Sequence, residues 1–173
     1  MTSGNTPSTT RNSLESALRE QATRTVLFHS AVAGRLGITP TDLSCLNVLS
    51  MDGVQTPGRL AERLGITRGG AITAMIDRLE QAGFVRRNVD PKDRRRALVS
   101  LVTDRTAGQV TLLFSELGRA IGEQLAGYDD ELALLAGFVT ATNEALIRAT
   151  EGLRRTETGG KASEQAAVDR ELD

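Results

Sequence analysis

The 173-residue sequence predicts a mainly α-helical protein with one small β-hairpin. Three observations predict it. Apolar residues recur at spacings of three and four along most of the chain, the signature of helices that each bury one stripe. Thr39-Pro40 and Thr56-Pro57, together with Gly37, Gly53, Gly65 and Gly83, punctuate that pattern with residues that start and stop helices. Two short β-compatible runs, Phe84-Val85-Arg86-Arg87 and Ala97-Leu98-Val99-Ser100-Leu101, flank a polar, turn-prone stretch.

Taken in order, residues 1–12 are rich in Ser, Thr and Asn and read as a disordered arm without the apolar stretch of a signal peptide. Residues 13–37 form a first helix, with Leu14, Ala17, Leu18, Val26, Leu27, Val32 and Leu36 as its apolar positions and Gly37 as its stop. In Thr39-Pro40-Thr41-Asp42 a capping threonine, a proline at the first helical position and an acid in the first turn open a second helix. It runs to about Met51 and turns Leu43, Leu46 and Leu49 inward. Thr56-Pro57 opens a short third helix that Gly65 breaks. After the Gly65-Ile66-Thr67 turn, Thr67 caps a fourth, where Ile72, Met75, Ile76 and Leu79 make one apolar stripe. Helix, tight turn and helix within so few residues is a helix-turn-helix pattern, and the hairpin that follows, at about 85–101, reads as a wing. Residues 104–155 return to helix, first with Val110, Leu113, Leu117, Ile121 and Leu125, then with Leu132, Leu135, Val139 and Leu146. Their apolar residues suit burial against a second subunit or a self-contained core. Residues 156–173 are rich in Gly, Glu and Ala and read as a flexible tail.

The domain organisation expected is therefore an arm (1–12), an N-terminal helix (13–37), a winged helix-turn-helix domain (38–103), C-terminal helices (104–155) and a tail. The two helical parts are the candidates for dimerisation.

Composition narrows the function. The formal net charge is −1, but Arg59 to Arg96 holds ten basic residues against five acidic ones, a local +5 that leaves −6 for the rest. Such asymmetry focuses a positive field on one module and favours phosphate there. With no Trp, one Tyr and four Phe, the chain lacks the aromatic faces on which single strands stack. A single cysteine, Cys45, excludes an internal disulfide and any multi-cysteine zinc site and fits a reducing cytoplasm. A single histidine, His29, leaves little from which to build a metal site or a catalytic constellation, so neither enzyme, cofactor nor metal is expected. No stretch approaches the roughly 20 apolar residues that span a bilayer, and no membrane association is expected.

These features point to double-stranded DNA. On the fourth helix (about 67–82) the side away from the apolar stripe carries Thr67, Gly70, Ala71, Thr73, Ala74, Asp77 and Arg78. Small residues there let the backbone approach base edges. Arg68, in the first turn, can pair with guanine or contact phosphate. Thr73 can bond a base or phosphate or touch a thymine methyl, whereas Arg78 suits a phosphate or an ion pair with its neighbour Asp77. At the wing tip, Lys92, Arg94, Arg95 and Arg96 surround Asp90 and Asp93. An arginine there can enter a minor groove while its neighbours neutralise phosphates, and Asp93 can orient an arginine.

Residues 42–103 resemble the multiple-antibiotic-resistance regulator (MarR) family. The matching text is Thr56-Pro57-Gly58-Arg59-Leu60-Ala61-Glu62-Arg63-Leu64-Gly65-Ile66-Thr67, then Ile72-Thr73, Asp77-Arg78-Leu79-Glu80, Gly83-Phe84-Val85-Arg86-Arg87 and Asp90-Pro91-Lys92-Asp93-Arg94-Arg95, in that order. The resemblance implies a winged-helix repressor that dimerises through its outer helices, grips the minor groove with two wings and is released by a small ligand or oxidant. It matches Asp93 and Arg95 to the family's wing acid and arginine. Two departures stand out: Leu101 is followed by Val102-Thr103-Asp104 with a glycine only at Gly108, and Gly69-Gly70 opens the recognition helix at about 1 kcal/mol per glycine relative to alanine.

The expected partners are thus duplex DNA, a second copy of the chain and an inducer of unidentified chemistry. The alternative is a protein-interaction or anti-repressor module that keeps the fold with little DNA affinity. Cys45 reads as a small buried hydrophobe, not a redox sensor, and His29 as a helix-surface or pocket residue.

Overall fold

The computed structural model describes residues 7–67, 69–102 and 107–171, without the side chains of 107 and 155–171. Among the described residues, six α-helices and one hairpin follow in the order α1 (Pro7–Leu36), α2 (Pro40–Asp52), α3 (Pro57–Leu64), α4 (Gly69–Gln81), β1 (Val85–Val89), β2 (Ala97–Leu101), α5 (Leu112–Leu125) and α6 (Leu132–Glu171). A five-residue π-helical turn, Ala107–Thr111, leads into α5, and a 3-10 turn, Asp129–Glu131, into α6. The chain divides into two units, Met1–Glu116 and Leu117–Asp173.

The first unit is organised by its helix ends. Thr39 caps α2 through a full capping box: its hydroxyl accepts from the Asp42 N–H at 3.1 Å, and the Asp42 carboxylate accepts from the Thr39 N–H at 3.0 Å. Thr56 caps α3 by accepting from the Arg59 N–H. Gly65 stops α3 in the left-handed conformation (φ 68°), and the Ile66 N–H reaches back to the Ala61 carbonyl at 2.8 Å, a Schellman closure. This closure turns the chain from α3 towards α4. The same closure recurs after α4, where Gly83 has φ 76° and the Phe84 N–H bonds the Leu79 carbonyl, folding Phe84 into the core.

That core lies under α4 and the hairpin. Leu43, Cys45, Leu46 and Leu49 from α2, Leu60 from α3, the α4 stripe Ile72, Met75, Ile76 and Leu79, and Phe84, Val85 and Val99 from the hairpin are all buried together. The ends of the flanking helices join it through Val32, Ala33 and Val110.

β1 and β2 pair antiparallel, with Val85 opposite Leu101 and Val89 opposite Ala97. The strand therefore extends two residues beyond Arg87, because Asn88 and Val89 find partners in Leu98 and Ala97. Gln55 adds a bridge on the other side of β2, exchanging both backbone hydrogen bonds with Val99 at 3.1 and 2.7 Å. A single bridging residue has no periodicity, so the sequence gives no sign of it.

The ends of the chain differ from the sequence reading. Helix α1 already begins at Pro7, inside the expected arm, because proline is pre-set for the first helical position. Residues 1–6 lie outside the described residues. At the other end α6 continues to Glu171 through the expected tail, whose Ala, Glu, Gln and Lys favour helix over the two glycines. The expectation about bilayer-length segments also needs correction. Asp129–Arg154 is long and apolar enough to cross a membrane by length and composition, with an 18-residue window of mean hydropathy 1.2, because Leu, Ile, Val, Phe and Ala there outweigh the few charges. In the single chain its Leu132, Phe138, Val139 and Leu146 are exposed, as are Leu117, Ile121 and Leu125 on α5.

Candidate nucleic-acid interface

Helix α4 is divided lengthwise. Ile72, Met75, Ile76 and Leu79 are buried, and Gly69, Gly70, Ala71, Thr73, Ala74 and Arg78 are exposed. No atom from outside the neighbouring backbone of α4 lies within 4 Å of where a Cβ on Gly70 would sit, so this face is open there. The Thr73 hydroxyl donates to the Gly69 carbonyl at 3.3 Å, leaving its lone pairs outward. Thr67 is exposed, and Gly69 is the first described residue of α4. Arg68, between them, lies outside the described residues, and so does the cap that the sequence reading gives to Thr67.

Two arginine pairs hold α4 in place. Arg78 reaches across to Asp42 with two bonds, Nη2 to Oδ1 at 2.7 Å and Nε to Oδ2 at 3.3 Å. Asp42 is 1% exposed while the Arg78 side chain keeps half its surface in water. Burial works to raise the Asp42 pKa, but the bonds from Arg78 and Thr39 outweigh it and hold the carboxyl below its ordinary value; Asp42 in turn raises Arg78. The partner of Arg78 is therefore not its sequence neighbour Asp77. Adjacent residues on a helix point about 100° apart, whereas Asp42 faces Arg78 from the next helix. Asp77 belongs to the second pair. The Arg87 guanidinium on β1 donates to Asp77 Oδ1 and to Glu80 Oε2, each at 2.5 Å.

The wing tip is built by its two acids. The Asp90 carboxylate accepts the Lys92 N–H at 2.8 Å, and the Asp93 carboxylate accepts the Arg95 N–H at 3.0 Å. Backbone bonds from Asp90 N–H to the Arg96 carbonyl and from Arg96 N–H to the Asp93 carbonyl close the loop. Asp93 also pairs with Arg96 Nε at 3.4 Å. Among the described residues, Lys92, Arg94 and Arg95 are exposed cations with no carboxylate partner. The acids thus shape the turn through its backbone, and all four cationic side chains are exposed, Arg96 alone of them pairing with a carboxylate among the described residues.

The structure brings Gly70, Thr73 and Arg78 onto one helix face and Lys92, Asp93, Arg94, Arg95 and Arg96 into one loop of the same unit. Sequence reasoning missed Asp42 and Arg87 as the residues that hold this arrangement. The Thr-Pro-Thr-Asp cap was a signal for Asp42's local role only. Cys45 is buried, and burial together with the Asp42 charge pushes its thiol up to about 11, a setting that suppresses the reactive thiolate. No group of three or more metal-ligating side chains occurs among the described residues.

Comparison with known proteins bears on this geometry directly. Residues 38–97 match the model of the MarR family. Over 138 residues the chain is 37% identical to the uncharacterized HTH-type transcriptional regulator YcgE of Bacillus subtilis, spanning 79% of this chain and 88% of that protein. The chain belongs to the MarR family. This MarR-family protein is a winged helix-turn-helix transcriptional regulator, with α3 and α4 as the helix-turn-helix and β1-β2 as the wing. Among solved structures it is similar to RV1404 of Mycobacterium tuberculosis, with a TM-score of 0.57, 27% identity, and coverage of 78% of this chain and 92% of that one. It is also similar to a mutant MarR from E. coli complexed with operator DNA, with a TM-score of 0.51, 25% identity, and coverage of 75% and 92%.

Proposed function

We propose that this MarR-family regulator is a homodimeric repressor that binds a pseudo-palindromic operator in duplex DNA. The single observation that carries this reading is the pairing, in one unit, of an open α4 face with a wing tip whose Lys92, Arg94 and Arg95 have no carboxylate partner among the described residues. In this reading Arg68, Gly70 and Thr73 enter the major groove. Lys92, Arg94, Arg95 and Arg96 hold phosphates and the minor groove of the flanking duplex, with Asp93 setting the turn. The protein acts by binding and not by catalysis, in the cytoplasm.

Dimerisation is supported by the apolar residues that α1, α5 and α6 leave exposed in the single chain, among them Val26, Leu27, Ile121, Leu125, Phe138 and Leu146. Exposed apolar surface on this scale marks an interaction surface. Two-fold symmetry then places the two α4 helices about one turn of DNA apart, roughly 10 base pairs. Release by a small inducer is carried into this reading from the family alone.

The test is a gel-shift and footprint with the DNA upstream of the protein's own gene. The expected result is protection of an inverted repeat by a dimer and loss of the shift in the presence of an inducer found by thermal-shift screening with phenolic acids. Absence of any protection there, with folded dimer present, overturns the reading.

A further inference from the structure

Among the described cations of the basic module, Arg87 is the one whose guanidinium bonds two carboxylates at once. On β1 the side chains alternate: Val85 is buried, Arg86 and Asn88 are exposed, and Arg87 lies on the inner side with Val85. From there its guanidinium spans Asp77 and Glu80, three residues apart on α4, and touches the Thr73 carbonyl at 3.4 Å. The Arg87 side chain is 29% exposed, less than either acid it holds. Glu80 takes a second grip on the same residue, because its Oε1 accepts the Arg87 backbone N–H at 2.9 Å. Among the described residues β1 pairs only with β2, and this N–H sits on the other edge of the strand. The bond from that N–H leads the causes that hold Glu80 below its ordinary pKa, and burial of Arg87 fails to offset the raising effect of its two acids. The wing is thereby clipped to the recognition helix by backbone and side chain at one point.

Two consequences follow from this placement. The first is geometric. From Arg87 to the start of the tip at Asp90 is three residues of strand, about 10 Å at 3.3 Å each, so a tilt of about 10° at the clip moves the tip by about 2 Å. That displacement is enough to break hydrogen bonds to a groove whose position is set by α4. The second is electrostatic. Asp77 and Glu80 are acids on the helix that must approach a polyanion, and Arg87 reduces their joint charge from −2 to −1.

We propose that Arg87 is a positioning residue for DNA binding: it fixes the wing against the recognition helix and offsets the acids of that helix, without itself touching DNA. The inference rests on the DNA-binding reading above. It assigns Arg87 a role different from that of Arg94 and Arg95, although composition alone places all three in one basic patch.

The experiment is a double-mutant cycle on the full-length protein, read by fluorescence anisotropy on duplex DNA from its own upstream region. The variants are R87A, R95A, R87A/R95A, D77N/E80Q and R87A/D77N/E80Q, with a thermal melt of each. R87A is expected to weaken binding about tenfold or more. Because the wing is already misplaced in R87A, adding R95A then weakens binding much less than R95A does alone. Neutralising both acids recovers part of the loss in the triple variant. Strict additivity of R87A and R95A, together with an unchanged R87A penalty in the D77N/E80Q background, makes Arg87 an ordinary phosphate contact and overturns the proposal. So does wild-type affinity in R87A. If R87A does not melt cooperatively, R87K replaces it, since an ammonium keeps the charge without the fork that bridges two carboxylates. A wild-type protein that binds none of this DNA overturns the functional reading itself, and the inference falls with it.

Discussion

Asp42, in the first turn of α2, and Arg78, near the end of α4, meet in a two-point salt bridge at 2.7 and 3.3 Å although 36 positions separate them. The same carboxylate completes the capping box of α2, so a single nearly inaccessible side chain both starts one helix and anchors the recognition helix. Arg78 therefore enters the proposed DNA interface with one side already committed, and only its outer half is free for a phosphate.

Asp42→Ala removes both functions and leaves Arg78 without its partner. Breaking a buried pair costs about 3–5 kcal/mol, and with Arg78 half in water about 2–3 kcal/mol is expected here. Urea denaturation measures it. Because the folded pKa of Asp42 lies below its ordinary 3.8, the unfolded chain binds more protons in that window. Its contribution to stability is thus complete above about pH 4 and is lost as the pH falls through the folded value. Asp42→Asn should flatten this acid limb of the stability profile. An unchanged limb shows that other carboxylates set it.

Gly70→Ala should raise stability by about 0.5–1 kcal/mol, since the glycine sits inside α4 with open space where a Cβ would go. If that backbone meets base edges, the same methyl weakens operator binding. A variant that melts higher and binds as well as the wild type removes Gly70 from the interface.

Arg94→Ala and Arg95→Ala should leave the fold untouched, because neither side chain has a carboxylate partner among the described residues. Each should lower the slope of log affinity against log salt by about 1 if it neutralises a phosphate. Equal slopes across a range of salt concentrations would remove the tip from the DNA.

Cys45 should resist alkylation at pH 8 in the folded protein and react fully once denatured, because burial holds its thiol near 11. DNA binding should be indifferent to mild peroxide for the same reason. Stoichiometric labelling of the native protein refutes this.

Ile121→Glu, in the middle of the apolar row of α5, should shift the protein from dimer to monomer in sedimentation equilibrium and abolish binding to a two-half-site operator. A stable dimer with this substitution places the interface elsewhere.

Local chemistry in the sequence determined the ends of α2 and α3, the stop of α4 at Gly83, the turn between α3 and α4, the apolar stripe of α4 and the existence of the hairpin. Each depends on residues within one or two turns of one another: a threonine that caps, a glycine at positive φ, side chains repeating every three or four positions. The concentration of positive charge between Arg59 and Arg96 was legible for the same reason. Which of those charges remain available was not. Arg78 is committed to an acid in α2, Arg87 to two acids on α4 and Arg96 to Asp93, while Lys92, Arg94 and Arg95 have no carboxylate partner among the described residues. The pairings of Arg78 and Arg87, like the Gln55 bridge to Val99, join residues on different elements, and their geometry is set only when those elements pack on a common core. Sequence spacing decides what a helix face carries; tertiary packing decides which of its charges are still free to meet DNA.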